Sequence, residues 1–553
     1  MFRNEYWQMK PSIVFLFCIS MLFGSQELFS MTDARNRVVL NKDKSFSSQV
    51  IQSNTTYVIR HDFDLSEETN VNGHLQGLVA IPEGSTLIFA GGSLRNGVVN
   101  GSNTRIVIKS KKVFSDIDIT GTWIKLNEGS IDWFDEEDTY NRILSNLDKI
   151  CYSLNLNDFK ISVEKADLYL SFNRIYSPKN ATITFLNTSD SDVNGVNLMA
   201  KNVVIENITI REDFDTELFP QNNVTAGVAI GVYDPTIKGA KNSYSIVLKN
   251  CSFTGGFSSS CFASSYVSDL QMINCSFSDI KAADHLVYCS TNISDFKLDN
   301  VQVSNCQTRT SMFKIRHATN CNVTINGVEA NNYKGSFLEY DEAFGHQKVL
   351  LDNLSLECGS LSGGNLLYYG SGDARCSFDV TVNHLVWRQN ENAKYRLAKA
   401  TTEAYHTIDS FFIRTSRLWN TNLTVEGEVM TLEYDDCAIN GMPACDITAS
   451  ILNIKNCYID AEIKSGGLFR SGTVKKVCVD NVKTNSQHLI PGFFTFKGAE
   501  PVNVDIRNTT FNKIGVNVFM ATDTPVKLKM KKTKVPDAKY DINYRGNILY
   551  VRD

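Results

Sequence analysis

Leu248-Lys-Asn250-Cys-Ser-Phe253, Met272-Ile-Asn274-Cys-Ser-Phe277 and Leu298-Asp-Asn300-Val-Gln-Val303 are one phrase written three times, 24 and 26 residues apart. Each places Asn two residues after one apolar side chain and three before the next. Asn tolerates the left-handed backbone of a tight turn, and its amide both donates and accepts hydrogen bonds. The same register extends upstream to Ile205-Glu-Asn207-Ile-Thr-Ile210 and downstream to Asn353, Asn456, Asn481 and Asn508. Gly327, His384, Ser410, Asp436 and Lys532 stand where Asn is absent, so that Ser410 lies 26 residues from both His384 and Asp436. An apolar doublet follows each turn by 11 to 14 residues, at Phe262, Leu286, Phe313, Leu338, Leu367, Phe469, Phe494 and Phe519.

Two short strands per period of roughly 25 residues form a coil that cannot bury its apolar face alone, whereas stacked coils can. At a coil spacing of ~4.8 Å the Asn amides can bond from one coil to the next. The fold class expected is therefore all-β, a right-handed parallel β-helix of about 12–14 coils over residues 161–553. Leucine-rich, ankyrin and tetratricopeptide solenoids are excluded, because their consensus residues and helical periodicity are missing.

The chain has 553 residues and a formal net charge of −5. Its acidic and basic residues are interspersed rather than clustered, so no nucleic-acid partner is expected. Arg3 and Lys10 precede a thirteen-residue apolar run, 12–24, with the length of a signal-peptide core and too short to span a bilayer. Residues 1–30 are read as a signal peptide, and the mature chain is expected to be secreted, periplasmic or at the cell surface, with no stable membrane span. Thirteen Cys remain once Cys18 is set aside, without the spacing of a disulfide framework or a zinc site. They read as small buried hydrophobes, although Cys251 with Cys275 and Cys437 with Cys457 occupy equivalent places in successive coils.

Residues 31–135 read as a β-rich lead-in module of short strands. Its phrases Pro82-Glu-Gly-Ser-Thr-Leu-Ile-Phe89 and Gly91-Gly-Ser-Leu-Arg-Asn-Gly97 resemble the amino-terminal module of secreted β-helix proteins from the Bacteroidetes. Ser130-Ile-Asp-Trp133-Phe134 with 135–139 resembles a Trp-Phe-Gly-Ala-x-Gly-Asp-Gly segment of the pectate-lyase-like superfamily, with the Gly-rich middle missing. In 136–160, Tyr140, Ile143, Leu144, Leu147, Ile150, Cys151 and Leu154 share one helical face, with Asp138 or Thr139 placed to cap. Such a helix would plug an open solenoid end.

The resemblance implies a polysaccharide partner and a site on an outer sheet face, built from one residue per coil. If the second doublet residue points inward, Ala263, Val287, Lys314, Glu339 and Tyr368 follow it outward, and Ser265, Cys289, Arg316, Asp341 and Gly370 stand two further on. Lys314, Arg316, Glu339, Asp341 and Tyr368 are the catalytic candidates. In a lyase, Lys314 or Arg316 would neutralise a uronate carboxylate, and Tyr368, Lys314 or His317 would take the C5 proton. In a hydrolase, Glu339 and Asp341 would act as a carboxylate pair roughly 6.6 Å apart. Cross-strand salt bridging on a solvated sheet is the plainer account of the same charges.

The superfamily's polygalacturonase signature is absent, and Asp435-Asp436 falls on the turn ladder, where a structural role is expected. Calcium would require clustered carboxylates, which Glu339, Asp341, Glu342 and Arg316 imitate only loosely; no cofactor is expected. The stretch 388–406, with Lys394, Arg396 and Lys399, reads as a loop or irregular coil beside the sheet. His317, Arg414, Arg417 and Trp419 are the substrate-binding candidates, suited to carboxylate pairing and sugar stacking. Two readings of function remain. One is an enzyme acting on an extracellular uronate-containing polysaccharide by β-elimination or hydrolysis; the other is a non-catalytic glycan-binding or surface scaffold.

Overall fold

The computed structural model describes residues 36–68, 77–186, 194–214, 230–232, 244–281, 284–291, 293–370, 372–390, 395–401, 404–441, 443, 445–462, 467–485, 492–512, 517–519, 524–534 and 548–552. The expected signal peptide and Lys394 lie outside them. Twelve of the thirteen expected ladder residues have left-handed backbone, with φ between 49° and 67° from Asn207 to Lys532. The amides bond between coils as their chemistry requires: Asn250 Nδ2 donates to Asn207 Oδ1 at 2.9 Å, Asn274 to Asn250 at 3.2 Å and Asn300 to Asn274 at 2.8 Å. Where Gly327 takes the turn, the neighbouring Asn326 carries the amide chain, donating to Asp299 at 2.9 Å and accepting from Asn353 at 2.8 Å.

The exception is Ser410. The left-handed residue of that coil is Thr415, with φ 48°, because Arg414 pairs with Asn383 before it and with Asp435 after it. Ser410 lies inside the strand Ala404–Arg414 and donates to Asp379 Oδ1 at 2.6 Å. Two coils of unequal length had imitated two equal ones in the sequence. The same shift corrects the reading of 388–406 as a loop: Val386–Arg388, Arg396–Ala400 and Ala404–Arg414 are strands in parallel register with the coils on either side.

Every pairing among the described residues of 125–553 is parallel, and the strands fall into three stacks, one per side of the coil. The first ends at the Asn ladder, the second follows it, and the third carries the apolar doublets. Left-handed residues mark the other corners as well. Asp279, Asn305 and Asn332 form a second ladder, with amide bonds of 3.1 and 2.8 Å, between the second and third stacks. Tyr266, Thr291, His317 and Glu342 turn the chain out of the third. Apolar side chains alternate into the interior, where Phe253 stacks on Phe277 with ring centroids 4.8 Å apart. Eleven of the thirteen described cysteines are buried there as free thiols.

The helix Tyr140–Ile150 buries Ile143, Leu144, Leu147 and Ile150 against the first coils of this unit, as its spacing predicts. Residues 36–124 form a second compact unit, also of parallel strands in three stacks: Thr56–Ile59 on Thr86–Phe89, Phe63–Asp64 on Leu94, and Leu78–Ala80 on Val98. The glycine of the Pro82-Glu-Gly84 phrase has φ 68°, and a Cβ there would stand 2.3 Å from Asn54 Oδ1, so the turn admits no side chain.

Candidate functional site

Five consecutive strands of the third stack, Phe262–Ser265, Val287–Ser290, 313–316, 338–341 and Leu367–Tyr369, hold the candidate cluster on their outer face. Their register corrects the alignment at one coil. Phe262 pairs with Val287 and Val287 with Phe313, so Val287 and Cys289 point into the core and Tyr288 and Ser290 point out. The outer row therefore reads Ala263, Tyr288, Lys314, Glu339, Tyr368 and Lys399. Tyr288 was missed because the doublet Leu286-Val287 had been aligned on its first residue while the others were aligned on their second. A consistent choice finds it.

Lys314 lies at the centre. Its Nζ is 2.9 Å from Glu339 Oε1 and 3.1 Å from Asp341 Oδ2. Those two oxygens are thus separated by no more than the sum of the two distances, roughly 6 Å, an upper bound that reaches the retaining-glycosidase spacing and falls short of the inverting one. Burial opposes charge on Lys314, but Glu339 and then Asp341 more than offset it and hold the ammonium above its ordinary range. Arg316 Nε reaches Asp341 Oδ2 at 3.5 Å and its Nη2 reaches Glu342 Oε1 at 3.1 Å. His317 Nε2 meets the other oxygen of Glu342.

Glu339 is 3% exposed although it lies on the outer face, so its neighbours on that face cover it. Its Oε2 is buried and has no hydrogen-bond partner among the described residues. Burial, then the charge of Glu339, pushes the Tyr368 phenol upward. His285 stacks on Tyr288 with centroids 5.6 Å apart, and its Nδ1 is 3.0 Å from Ser311 Oγ. Burial, then Lys314, pushes it down to about 4.

Three substrate-binding candidates lie elsewhere. Arg414 stands on the outer face of the first stack, 3.4 Å from Glu433, which also takes Lys455 at 2.7 Å. Arg417 and Trp419 belong to the second stack, where Trp419 is 50% exposed. His317 alone of that group joins the cluster. A calcium ion between Glu339 and Asp341 would need the place that Lys314 Nζ fills, so the donor set does not suit it. Among the described residues no three His, Cys, Asp or Glu side chains converge as metal ligands. A cleft of about 550 Å³ opens not at the carboxylates but further along the solenoid, at the corner between the third and first stacks. No protein-family model and no curated protein matches the chain.

Proposed function

We propose that this chain is a secreted carbohydrate-active β-helix that hydrolyses an extracellular polysaccharide with Glu339 and Asp341. The carrying observation is the carboxylate pair, presented side by side on an outer sheet face and shared by one ammonium. Asp341 faces both Lys314 and Arg316 and serves as the carboxylate that activates water or attacks the anomeric carbon. Glu339 keeps Oε2 unpartnered but covered by its neighbours on that face; as the acid it must first be uncovered and take up a proton, which it then passes to the leaving oxygen, and water supplies the hydrogen and hydroxyl that end on the two products. Tyr288 and Tyr368, in the coils on either side, offer aromatic faces to flanking sugars. The resemblance of 82–97 to Bacteroidetes β-helix proteins supports the secreted address and the substrate class.

Elimination has less support. Of the bases it could use, Lys314 is held charged, the Tyr368 phenol is pushed upward and His317 is tied to Glu342, and both cations beside the pair are already engaged. The scaffold reading has one observation in its favour: Lys314 and Glu339 are only 15% and 4% exposed at the side chain, which also suits an ion cluster tying coils together.

Purified protein with a panel of uronate-containing and neutral polysaccharides decides among them. Hydrolysis releases reducing ends without ultraviolet absorbance, and Glu339→Gln or Asp341→Asn lowers the rate by about 10²–10⁴-fold. Absorbance from an unsaturated product would establish elimination instead. Silence on both readouts with binding retained would leave the scaffold.

A further inference from the structure

We infer that the cleft between the third and first stacks is a second glycan-binding site, one that takes acidic sugars of the same polysaccharide that lies across Glu339. The proposal rests on the polysaccharide reading above but not on hydrolysis. Its first support is register. Tyr368 pairs with Lys399, Ala398 with Val425, Val425 with Ile447, Ile447 with Ser471 and Ser471 with Phe496. One residue further in each coil, the row that begins at Glu339 and Tyr368 runs on through Lys399, Glu426, Thr448, Gly472 and Lys497. The last three line the cleft. Four coil steps of ~4.8 Å separate Glu339 from its near end, ~19 Å in all, so one extended chain lying along the row would meet both places.

The lining supplies the second support. Val429, Val474, Phe496 and Val502 line its base, each 4% exposed or less, and Thr448, Ser450 and Thr473 bring hydroxyls to it. That combination suits a sugar ring, with its apolar face and equatorial hydroxyls. Gly472 and Gly498 keep the middle open: a Cβ would stand 2.8 Å from the Lys497 carbonyl oxygen at the first and 2.9 Å from that of Gly472 at the second. Lys475 and Lys497 enter from opposite sides of the corner, exposed and with no ion-pair partner among the described residues, unlike Lys314 and Arg316. Glu428 and Glu500 also line the cleft and would confine carboxylates to the neighbourhood of the two ammoniums. Lys314 and Arg316 are taken up by the carboxylates beside them, whereas Lys475 and Lys497 are left to meet an acidic sugar.

The test is calorimetric titration of the full chain carrying Glu339→Gln, which removes turnover, with oligogalacturonate, oligomannuronate and neutral cello-oligosaccharide. The expected result is that an acidic oligomer binds more tightly than the neutral one, with an affinity that falls as salt rises. Lys475→Ala with Lys497→Ala then weakens binding tenfold or more while the thermal midpoint stays unchanged, and Thr448→Trp, which narrows the cleft without changing charge, weakens it as well. Binding indifferent to the double lysine variant, or no binding of any acidic oligomer, overturns the proposal. Lysine-dependent binding by a wild-type chain that cleaves nothing would defeat the hydrolase reading alone. Cleavage with lysine-independent binding would defeat the cleft alone.

Discussion

Lys314 shows how much one side chain can hold in this solenoid. Replacing it by Met leaves Glu339 and Asp341 facing one another with no cation between them, and the expected cost is about 3 kcal/mol, read from urea denaturation. Its folded value is raised, so its contribution is complete below the unfolded value of about 10.4 and is lost as pH rises through the folded one. Wild type should therefore lose stability above about pH 10.4, and Lys314→Met should lack that step. His285 behaves in the opposite sense. With its folded value at about 4, the stability of the neutral ring is present above about pH 6.5 and disappears as pH falls toward 4, about 3 kcal/mol in all. His406, pushed down to about 4 by burial against Tyr369, acts in the same window. Urea midpoints between pH 7 and pH 4 should fall less steeply for His285→Gln than for wild type, and parallel slopes would show that His285 is not buried neutral.

The turn is the element that sets the coil. At Asn274 two costs can be separated, because the residue holds left-handed backbone at φ 52° and links Asn250 to Asn300 through its amide. Asn274→Ala loses both features and should cost about 2 kcal/mol, whereas Asn274→Gly keeps the backbone freedom and should cost about 1. Equal losses by urea denaturation would mean that the amide chain alone matters. This element was legible in the sequence, since a left-handed corner and an amide ladder are properties of one residue type at one position. The coil at Thr415 was not. Thr is an unfavourable left-handed residue, held there by parallel pairing of Arg414 to the coils on both sides, and no local signal reports such a constraint.

At the scale of the molecule, each coil contacts only its neighbours, so damage stays local. Leu147→Ala, in the helix over the first coils, should cost about 3 kcal/mol there. Hydrogen exchange should show 151–163 losing protection while coils beyond 300 keep theirs; uniform loss would mean that the solenoid unfolds as one unit. Arg414→Ala and Trp419→Ala, on the other two sides of the solenoid, should leave cleavage unchanged. Those two residues show why a site is harder to read than a fold: both are of the right type, but neighbouring residues in the chain emerge on different sides, and only the corners decide which. The solenoid, its period, its inward apolar alternation and the charged coils at Lys314 to Asp341 are legible along the chain, because each is written within a few residues. The tertiary structure alone decided that Tyr288 rather than Val287 faces outward, that Lys314 is held between two carboxylates, and that the Glu339 row runs on into a cleft. The reason is register: it is set between coils some 25 residues apart in the chain, and in a strand a slip of one residue exchanges the core for the surface.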